Sequence, residues 1–449
     1  MQVVVVGGGI AGLAAAYELG QRGVAVTVVE SSPSVGGKLR VSDVDGVAVD
    51  EGAEQIVLRA PEGVALVRAV GLGDDLVTPA RSGAGLIVRG RLRPLPSPTV
   101  LGVPASLSSL RDVLTPAEIA RAAADLVLPP ATRDSDVSVA QFVGHRLGHG
   151  VVDRLVEPLL GGVYAGHPAL LSAAATLPQL SSSHGSLLRA ARRVTTTAAA
   201  ESGPVFATIR RGLGRLPAAV ASASGAQLLL GRTVRRIERT PSGWRVVHGP
   251  TTDEQVIAAD AVVIAVPVAP ASRLLTDLVP HAAADLAHIE YASMAIVTTV
   301  WTEGQLPPGT GYLVPAIEGR AVKGVTFTSA KWDLDTGGRH VIRCSIGRYG
   351  DVVELQRDDD DLVQLAVAEL RSTLAFAGSP IASRVSRWGG GLPQYAVGHL
   401  DRVRRVRDTL AVIPGLAVCG AAYDGVGVPA CIRSGQLAAA QVTASITTT

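Results

Sequence analysis

An α/β fold joined to an α+β module is predicted for this chain, on three observations. A β-branched run, Gln2 to Val6, enters a glycine turn and then an alanine-rich stretch from Ile10 to Leu19. Some four hundred residues later an apolar run from Leu416 does the same in "CGAAYDGVGVPACIRSG", Cys419 to Gly435. Between them, strand-like segments alternate with one long helical segment. At 449 residues the chain exceeds one ordinary core, so two or three domains are expected.

The first turn places Gly7, Gly9 and Gly12 on a GxGxxG spacing. The first glycine permits the turn, the second admits a diphosphate to the backbone, and the third lets helix and strand pack closely. The helix start then turns unpaired N–H groups toward the phosphates. "VAVTVVE" adds a second strand ending in Glu30, eighteen positions after Gly12, where a carboxylate accepts from a ribose 2′-OH and disfavours a 2′-phosphate. Together these predict dinucleotide binding.

Further along, "GLIVRGRLRPLP" from Gly85 reads as a hairpin within a Pro-, Ser- and Gly-rich stretch. Thr115 to Leu128 and Ser138 to Leu160 read as helices, with Thr115 as cap and Pro116 in the first turn. His145 and His149, four apart, read as a solvated helix face, since no third ligand candidate lies nearby. "LLLGRTVRRIERTPSGWRVV" and "ADAVVIAVP" read as strands, with a turn at Pro241 to Gly243. After Pro267, "MAIVTTVW", "AVKGVTFTS" and "HVIRCSIGRYG" read as strands and "DDLVQLAVAELRSTLA" as a helix. At the far end, the strand from Leu416 turns at Gly420 into a helix near Pro429, where proline loses nothing by lacking an N–H.

"SSPSVGGKLR", with Gly36, Gly37 and Lys38 directly after the acidic strand end, and "VDEGAEQI" resemble the FAD-dependent amine oxidase and protoporphyrinogen oxidase superfamily. The likeness becomes specific in "LPSPTVLGVP", "VVDRLVEPLLGGVYAG", "AATLPQL", "RWGGGLPQYAVGHLDRV" and "CGAAYDGVGVPACIRSG", which are spread over nearly the whole chain. These resemble the protoporphyrinogen/coproporphyrinogen oxidase family, and most closely its soluble bacterial branch. The resemblance implies FAD-dependent oxidation of coproporphyrinogen III to coproporphyrin III in haem synthesis, with six electrons passed to O2 and H2O2 formed. It leaves protoporphyrinogen IX, and more remotely an amine or carotenoid substrate, as alternatives. Amine oxidases of the superfamily build an aromatic cage, and this chain is only 3% aromatic.

The resemblance also implies a layout. A discontinuous Rossmann-like FAD-binding domain is expected over 1–80, 203–266 and 385–449, a mixed-sheet substrate domain over 81–95 and 267–384, and a mostly helical domain over 96–202. FAD neighbours are expected at Gly7, Gly8, Gly9, Ile10, Ala11, Gly12, Glu30, Ser31, Gly37 and Lys38. Others are expected at Gly52, Ala53, Glu54, Gln55, Val234, Trp388 and Gly420, with Val426, Gly427 and Val428 along the isoalloxazine. The helix after them would favour the reduced ring through its positive N-terminus. Arg59, Val163 and Tyr164 are expected at the substrate, Arg59 on a propionate. No protein base is assigned, and the chemistry belongs to the flavin. Cys419 and Cys431 fall outside the pattern that tethers flavin covalently, so FAD is expected to be non-covalent.

Composition narrows the partners. A balance of 41 basic and 39 acidic residues, with no basic stripe carrying interleaved aromatics, speaks against nucleic acid. Three cysteines without CxxC or Cys/His spacing suggest neither a disulfide framework nor a zinc site, which fits a reducing cytoplasm. The longest charge-free stretch, Pro158 to Leu188, is broken by Gly, Pro, His and Ser and does not read as a membrane span. Peripheral membrane contact and transient contact with the next haem-pathway enzyme stay open.

Overall fold

The computed structural model describes residues 1–130, 135–200, 203–374, 376 and 378–447. Its centre is a five-stranded sheet in the order Gln227–Leu229, Ala25–Val29, Gln2–Val6, Ala261–Ile264 and Leu416–Val418. Every pairing is parallel. Both faces are covered, which is why these strands are continuous apolar runs instead of alternating ones. Val3 and Val5 face the helices Ile10–Gln21, Leu216–Ser224 and Val428–Thr447. Val4, Val6, Val262 and Ile264 face a three-stranded antiparallel sheet and the helices Val268–Leu275, Pro280–Ala287 and His399–Ala411.

The second sheet has seven strands, ordered Ala382–Pro393, Tyr291–Trp301, His340–Ile346, Val322–Phe327, Gly311–Leu313, Gly85–Val88 and Arg91–Pro94. One pair, Gly311–Leu313 with Gly85–Val88, is parallel, so the sheet is mixed. Its outer face buries Val325, Phe327, Ile342 and Cys344 against Leu362, Ala366 and Leu370 of the helix Asp359–Thr373. A third core, built from Val103 to Ala191, is mostly helical.

Four features depart from the expected elements. The helix expected over Ser138 to Leu160 is interrupted: Val139–Leu147 ends at Gly148, whose φ of 84° is left-handed. A single turn, a π-turn at Val152–Val156 and the helix Glu157–Tyr164 follow. Arg121 donates to the carbonyls of Gly144, His145 and Arg146 and so seals the broken end. Pro158, which has no N–H, cannot continue the i→i−4 ladder, and the widened turn precedes it.

The helices Val268–Leu275 and Pro280–Ala287, where the second module was expected to begin, pack on the parallel sheet. The hairpin of Val234–Thr240 and Gly243–His248 gains a third strand, Gln255–Ala259. Finally, "RWGGGLP" lies inside the strand Ala382–Pro393, which pairs with Tyr291–Trp301 across the expected boundary at 385. Ala375, the last residue of the expected helix in that region, lies outside the described residues.

Candidate functional site

The strands that enter the two glycine turns lie on either side of Ala261–Ile264 in the parallel sheet, and the helices that follow the turns lie against each other. A Cβ on Gly435 would sit 2.1 Å from the Ala11 carbonyl oxygen, so backbone meets backbone where the two helices cross. Gly435 lies seven residues beyond the start of its helix at Val428, about 10 Å along the axis. Both helix starts therefore open toward one region of the molecule.

In the first turn the glycines divide their work. A Cβ on Gly12 would lie 2.1 Å from the Gly7 carbonyl oxygen, so that position is closed by packing. A Cβ on Gly9 would meet nothing within 4 Å, so the backbone there faces open space. Gly9 begins the helix with no side-chain cap, and the first helical turn holds no acidic residue. The unpaired N–H groups of Ile10, Ala11 and Gly12 are thus left for an anion. Gly9 also bridges Gly36, and a Cβ on Gly37 would touch the Gly9 Cα at 3.3 Å.

Glu30 is buried at the end of its strand. Its carboxylate accepts from the Gly8 N–H at 2.6 Å and the Ser32 N–H at 2.7 Å, with the Ser31 hydroxyl at 3.3 Å. The acid therefore holds the glycine turn itself, a role its spacing did not reveal. The Arg232 N–H donates to the Glu30 carbonyl at 2.9 Å, which brings the segment leading into Val234 to the same edge.

The second turn is held from three directions. Gly420 has a φ of 128°, and a Cβ there would meet no atom within 4 Å; its N–H donates to Ser434 Oγ at 3.0 Å. Ser434 donates to Asp424 at 2.5 Å, and Arg407 pairs with the same carboxylate oxygen at 2.6 Å. The Tyr395 hydroxyl donates to the Ala421 carbonyl. Val426 packs against the helical core to which Tyr164 and Tyr395 belong. Beyond Val426 and Gly427, the helix begins at Val428.

Lys38, Gly52 and Trp388 also converge. A Cβ on Gly52 would lie 2.3 Å from the Lys38 carbonyl oxygen and 3.3 Å from the Trp388 ring. The Trp388 indole donates to the Glu51 carbonyl at 2.9 Å. Lys38 Nζ stands 5.5 Å from the centre of the Tyr291 ring, and burial lowers its pKa. Burial likewise pushes the Tyr291 hydroxyl up to about 12.

The segment from Gly52 through exposed Ala53 to Gln55 is gripped from the mixed sheet. Lys331 donates to Glu54 Oε1 at 2.6 Å and to Gln55 Oε1 at 2.7 Å. Arg343 pairs with Glu54 and donates to the Gly52 carbonyl at 2.6 Å. Burial alone would raise the Glu54 carboxyl, but the two cations prevail and hold it down to about 2. Lys331 and Arg343 were not singled out from the sequence; an arginine inside the apolar run "HVIRCSI" was the available signal.

Of the residues expected at the substrate, Val163 is exposed and Tyr164 is buried, with its ring 5.5 Å from that of Tyr395. Gln394 Nε2 donates to the Tyr164 carbonyl at 2.8 Å. Tyr395 stacks on His399 at 4.0 Å, and burial lowers that imidazole to about 4, so it is neutral at physiological pH. The Arg59 guanidinium donates to the Ala198 carbonyl at 2.8 Å. His145 and His149 are exposed on either side of the Gly148 break, and among the described residues no group of three or more His, Cys, Asp and Glu is arranged to hold a metal. No helix among them is long and apolar enough to cross a membrane.

The profile of the family described as "Flavin containing amine oxidoreductase" matches residues 10–443. The chain is 36% identical over 439 residues to the coproporphyrinogen III oxidase of Mycobacterium leprae, covering 96% of this chain and 95% of that one. It is 30% identical over 460 residues to the coproporphyrinogen III oxidase of Bacillus subtilis, covering 97% and 96%. Among solved structures, a protein from Exiguobacterium sp. 255-15 described as a candidate protoporphyrinogen oxidase superposes with a TM-score of 0.85 at 29% identity, covering 98% of both chains.

Proposed function

The chain belongs to the family of flavin containing amine oxidoreductases and uses FAD, and on that premise we propose that it oxidises coproporphyrinogen III to coproporphyrin III, with O2 as final acceptor and H2O2 as by-product. The observation that carries this reading is likeness over almost the full chain, at 36% identity, to a coproporphyrinogen III oxidase. The site supports it in kind: an open glycine turn for a diphosphate, a second one for a ring, and an aliphatic and aromatic wall beside the second.

Bound FAD supplies a two-electron acceptor, and three such transfers remove the six electrons that separate porphyrinogen from porphyrin. The protein binds and orients. Gly9 and the N–H groups after it would receive the diphosphate, Glu30 and Ser31 with the Val234 segment would receive the adenosine end, and Gly37, Lys38, Gly52 and Trp388 would hold the ring. Gly420, Val426 and Gly427 would line the ring, and the helix start at Val428 would offer it positive potential. Tyr164, Tyr395 and Val426 exclude water from the slot, and Val163 meets the substrate. Cys419 and Cys431 are buried, and FAD would be held by these contacts without a covalent bond.

The test is a comparison of oxygen uptake and porphyrin fluorescence on coproporphyrinogen III and protoporphyrinogen IX. Higher turnover on coproporphyrinogen III is expected. A clear preference for protoporphyrinogen IX overturns the substrate, and peroxide formed only with amines overturns the class. Protoporphyrinogen IX is the second reading, favoured by the description of the Exiguobacterium structure.

A further inference from the structure

Beside the clamp on Glu54 lies a cavity of about 20 Å³. Asp50 and Glu54 line it from the segment that leads to Gln55, and Thr208 and Gly212 from the strand Phe206–Ile209 and the turn after it. Thr328 and Trp332 close it from the short helix Thr328–Trp332, which follows the mixed-sheet strand Val322–Phe327. Asp50, Thr328 and Trp332 are each at most 6% exposed.

The polar groups of this wall are not all paired. Trp332 Nε1 and Thr328 Oγ1 are buried and have no hydrogen-bond partner among the described residues. Asp50 accepts from the Leu213 N–H at 3.0 Å on Oδ2 and from the Gly214 N–H at 2.8 Å on Oδ1, which leaves each oxygen a further lone pair. Burial, with Glu54 adding to it, raises the Asp50 carboxyl to about 6 against the pull of those two N–H groups and of Arg343, so its charged form is short of donors. Gly212 keeps the carboxylate within reach of the cavity: a Cβ there would stand 3.2 Å from Oδ1.

The chemistry of these groups defines what can lie between them. An indole N–H only donates, so its partner must accept, and it offers a cation nothing. An anion would stand beside Asp50, while the nearby cations Lys331 and Arg343 are already bound to Glu54. An ionised carboxylate only accepts, so a partner shared with it must also donate. What fits is a small neutral molecule that does both. A buried water needs about 10–15 Å³ and two to four polar partners, and this wall supplies the room and three partners. Leaving the indole or the hydroxyl unpaired would instead cost its full desolvation.

We propose that one water molecule is a fixed part of this wall, accepting from Trp332 Nε1–H, donating to the Asp50 carboxylate and bonding to the Thr328 hydroxyl. Asp50 holds the turn at Leu213 and Gly214, and the helix of Thr328 and Trp332 also carries Lys331, which grips Glu54 and Gln55. The water therefore joins the same parts of the chain as the clamp does, through neutral hydrogen bonds instead of an ion pair. It asks nothing of the substrate, so it stands whichever porphyrinogen is oxidised.

The test is X-ray diffraction from the FAD-loaded protein at a resolution that shows ordered water, together with thermal unfolding of wild type and Thr328→Val. One density peak within hydrogen-bond distance of both Trp332 Nε1 and an Asp50 carboxylate oxygen is expected. Thr328→Val tests the hydroxyl by the sign of its effect. With a water as partner the variant should melt about 1 °C lower, because that water loses a bond. A hydroxyl buried without a partner would be better replaced by a methyl group, and the variant would melt higher. A map without the peak overturns the assignment, and so does a higher or unchanged melting temperature in Thr328→Val. Should that variant not fold, the wild-type map decides alone.

Discussion

Lys331 Nζ lies 2.6 Å from Glu54 Oε1, and both side chains are about nine-tenths buried although 277 residues separate them. The pair fastens the segment beside the expected flavin ring to the mixed sheet. Glu54→Gln removes one charge and leaves Lys331 and Arg343 buried without a counter-ion, which should destabilise the protein by about 3–5 kcal/mol. The pH dependence has a definite sign. A carboxyl held near 2 in the fold but at its ordinary 4.5 when unfolded contributes stability above 4.5, lost as pH falls toward 2. Flavin fluorescence during thermal unfolding from pH 5 to pH 2.5 should show release at ever lower temperature in wild type and a flatter slope in Glu54→Gln. Identical slopes would remove Glu54 from the clamp.

Gly9→Val and Gly12→Val should fail in different ways. At Gly9 a side chain enters open space, so the variant should fold, with far-UV circular dichroism like that of wild type, yet emerge colourless from gel filtration. At Gly12 a Cβ collides with backbone at 2.1 Å, so that variant should be insoluble or lose several kcal/mol of stability. A yellow Gly9→Val protein contradicts the diphosphate site.

Arg146 and Asp125 form a pair that is at most 1% exposed, with Nε 2.5 Å from Oδ1. Asp125 also accepts from the Ser186 hydroxyl and the Leu188 N–H, so it ties the helix Val139–Leu147 to the start of Leu187–Ala200. Asp125→Ala strands a buried guanidinium and should lower stability by about 3–5 kcal/mol in urea unfolding. A change below about 1 kcal/mol would show that the helical core does not depend on the pair.

Tyr395→Phe deletes the donor to the Ala421 carbonyl while keeping the ring. A neutral hydrogen bond of this kind contributes about 0.5–1.5 kcal/mol. If the turn is held to favour the reduced flavin, the midpoint potential should fall by about 20 mV, since about 30 mV corresponds to 1.4 kcal/mol for two electrons. A lower melting temperature with unchanged potential would make Tyr395 a packing residue only.

The glycine turns were readable because spacing and backbone freedom are local: Gly9 and Gly420 had to open and Gly12 had to close whatever lay elsewhere in the chain. The three strands Tyr291–Trp301, Val322–Phe327 and His340–Ile346 were readable from β-branched runs of the right length. What escaped was decided at a distance. Glu54 pairs with residues 277 and 289 positions away, and nothing near it announces them. The break at Gly148 depends on Arg121 arriving to seal it, and the helices Val268–Leu275 and Pro280–Ala287 follow from packing on a sheet assembled from both ends of the chain. Nor does anything near Arg59 announce the Ala198 carbonyl, 139 residues away, to which its guanidinium donates.

The order of the parallel sheet has a consequence for biosynthesis. Ala261–Ile264 pairs on one side with a strand made first and on the other with Leu416–Val418, made more than 150 residues later. Throughout that interval the nascent polypeptide carries a bare, strongly apolar ribbon edge, a hazard for intermolecular pairing. Neither cradle can close until the ribosome has delivered the last strand and the helix behind it. Vitamin supply during translation should therefore matter little before that moment, and shielding of the exposed edge by chaperones should matter a great deal.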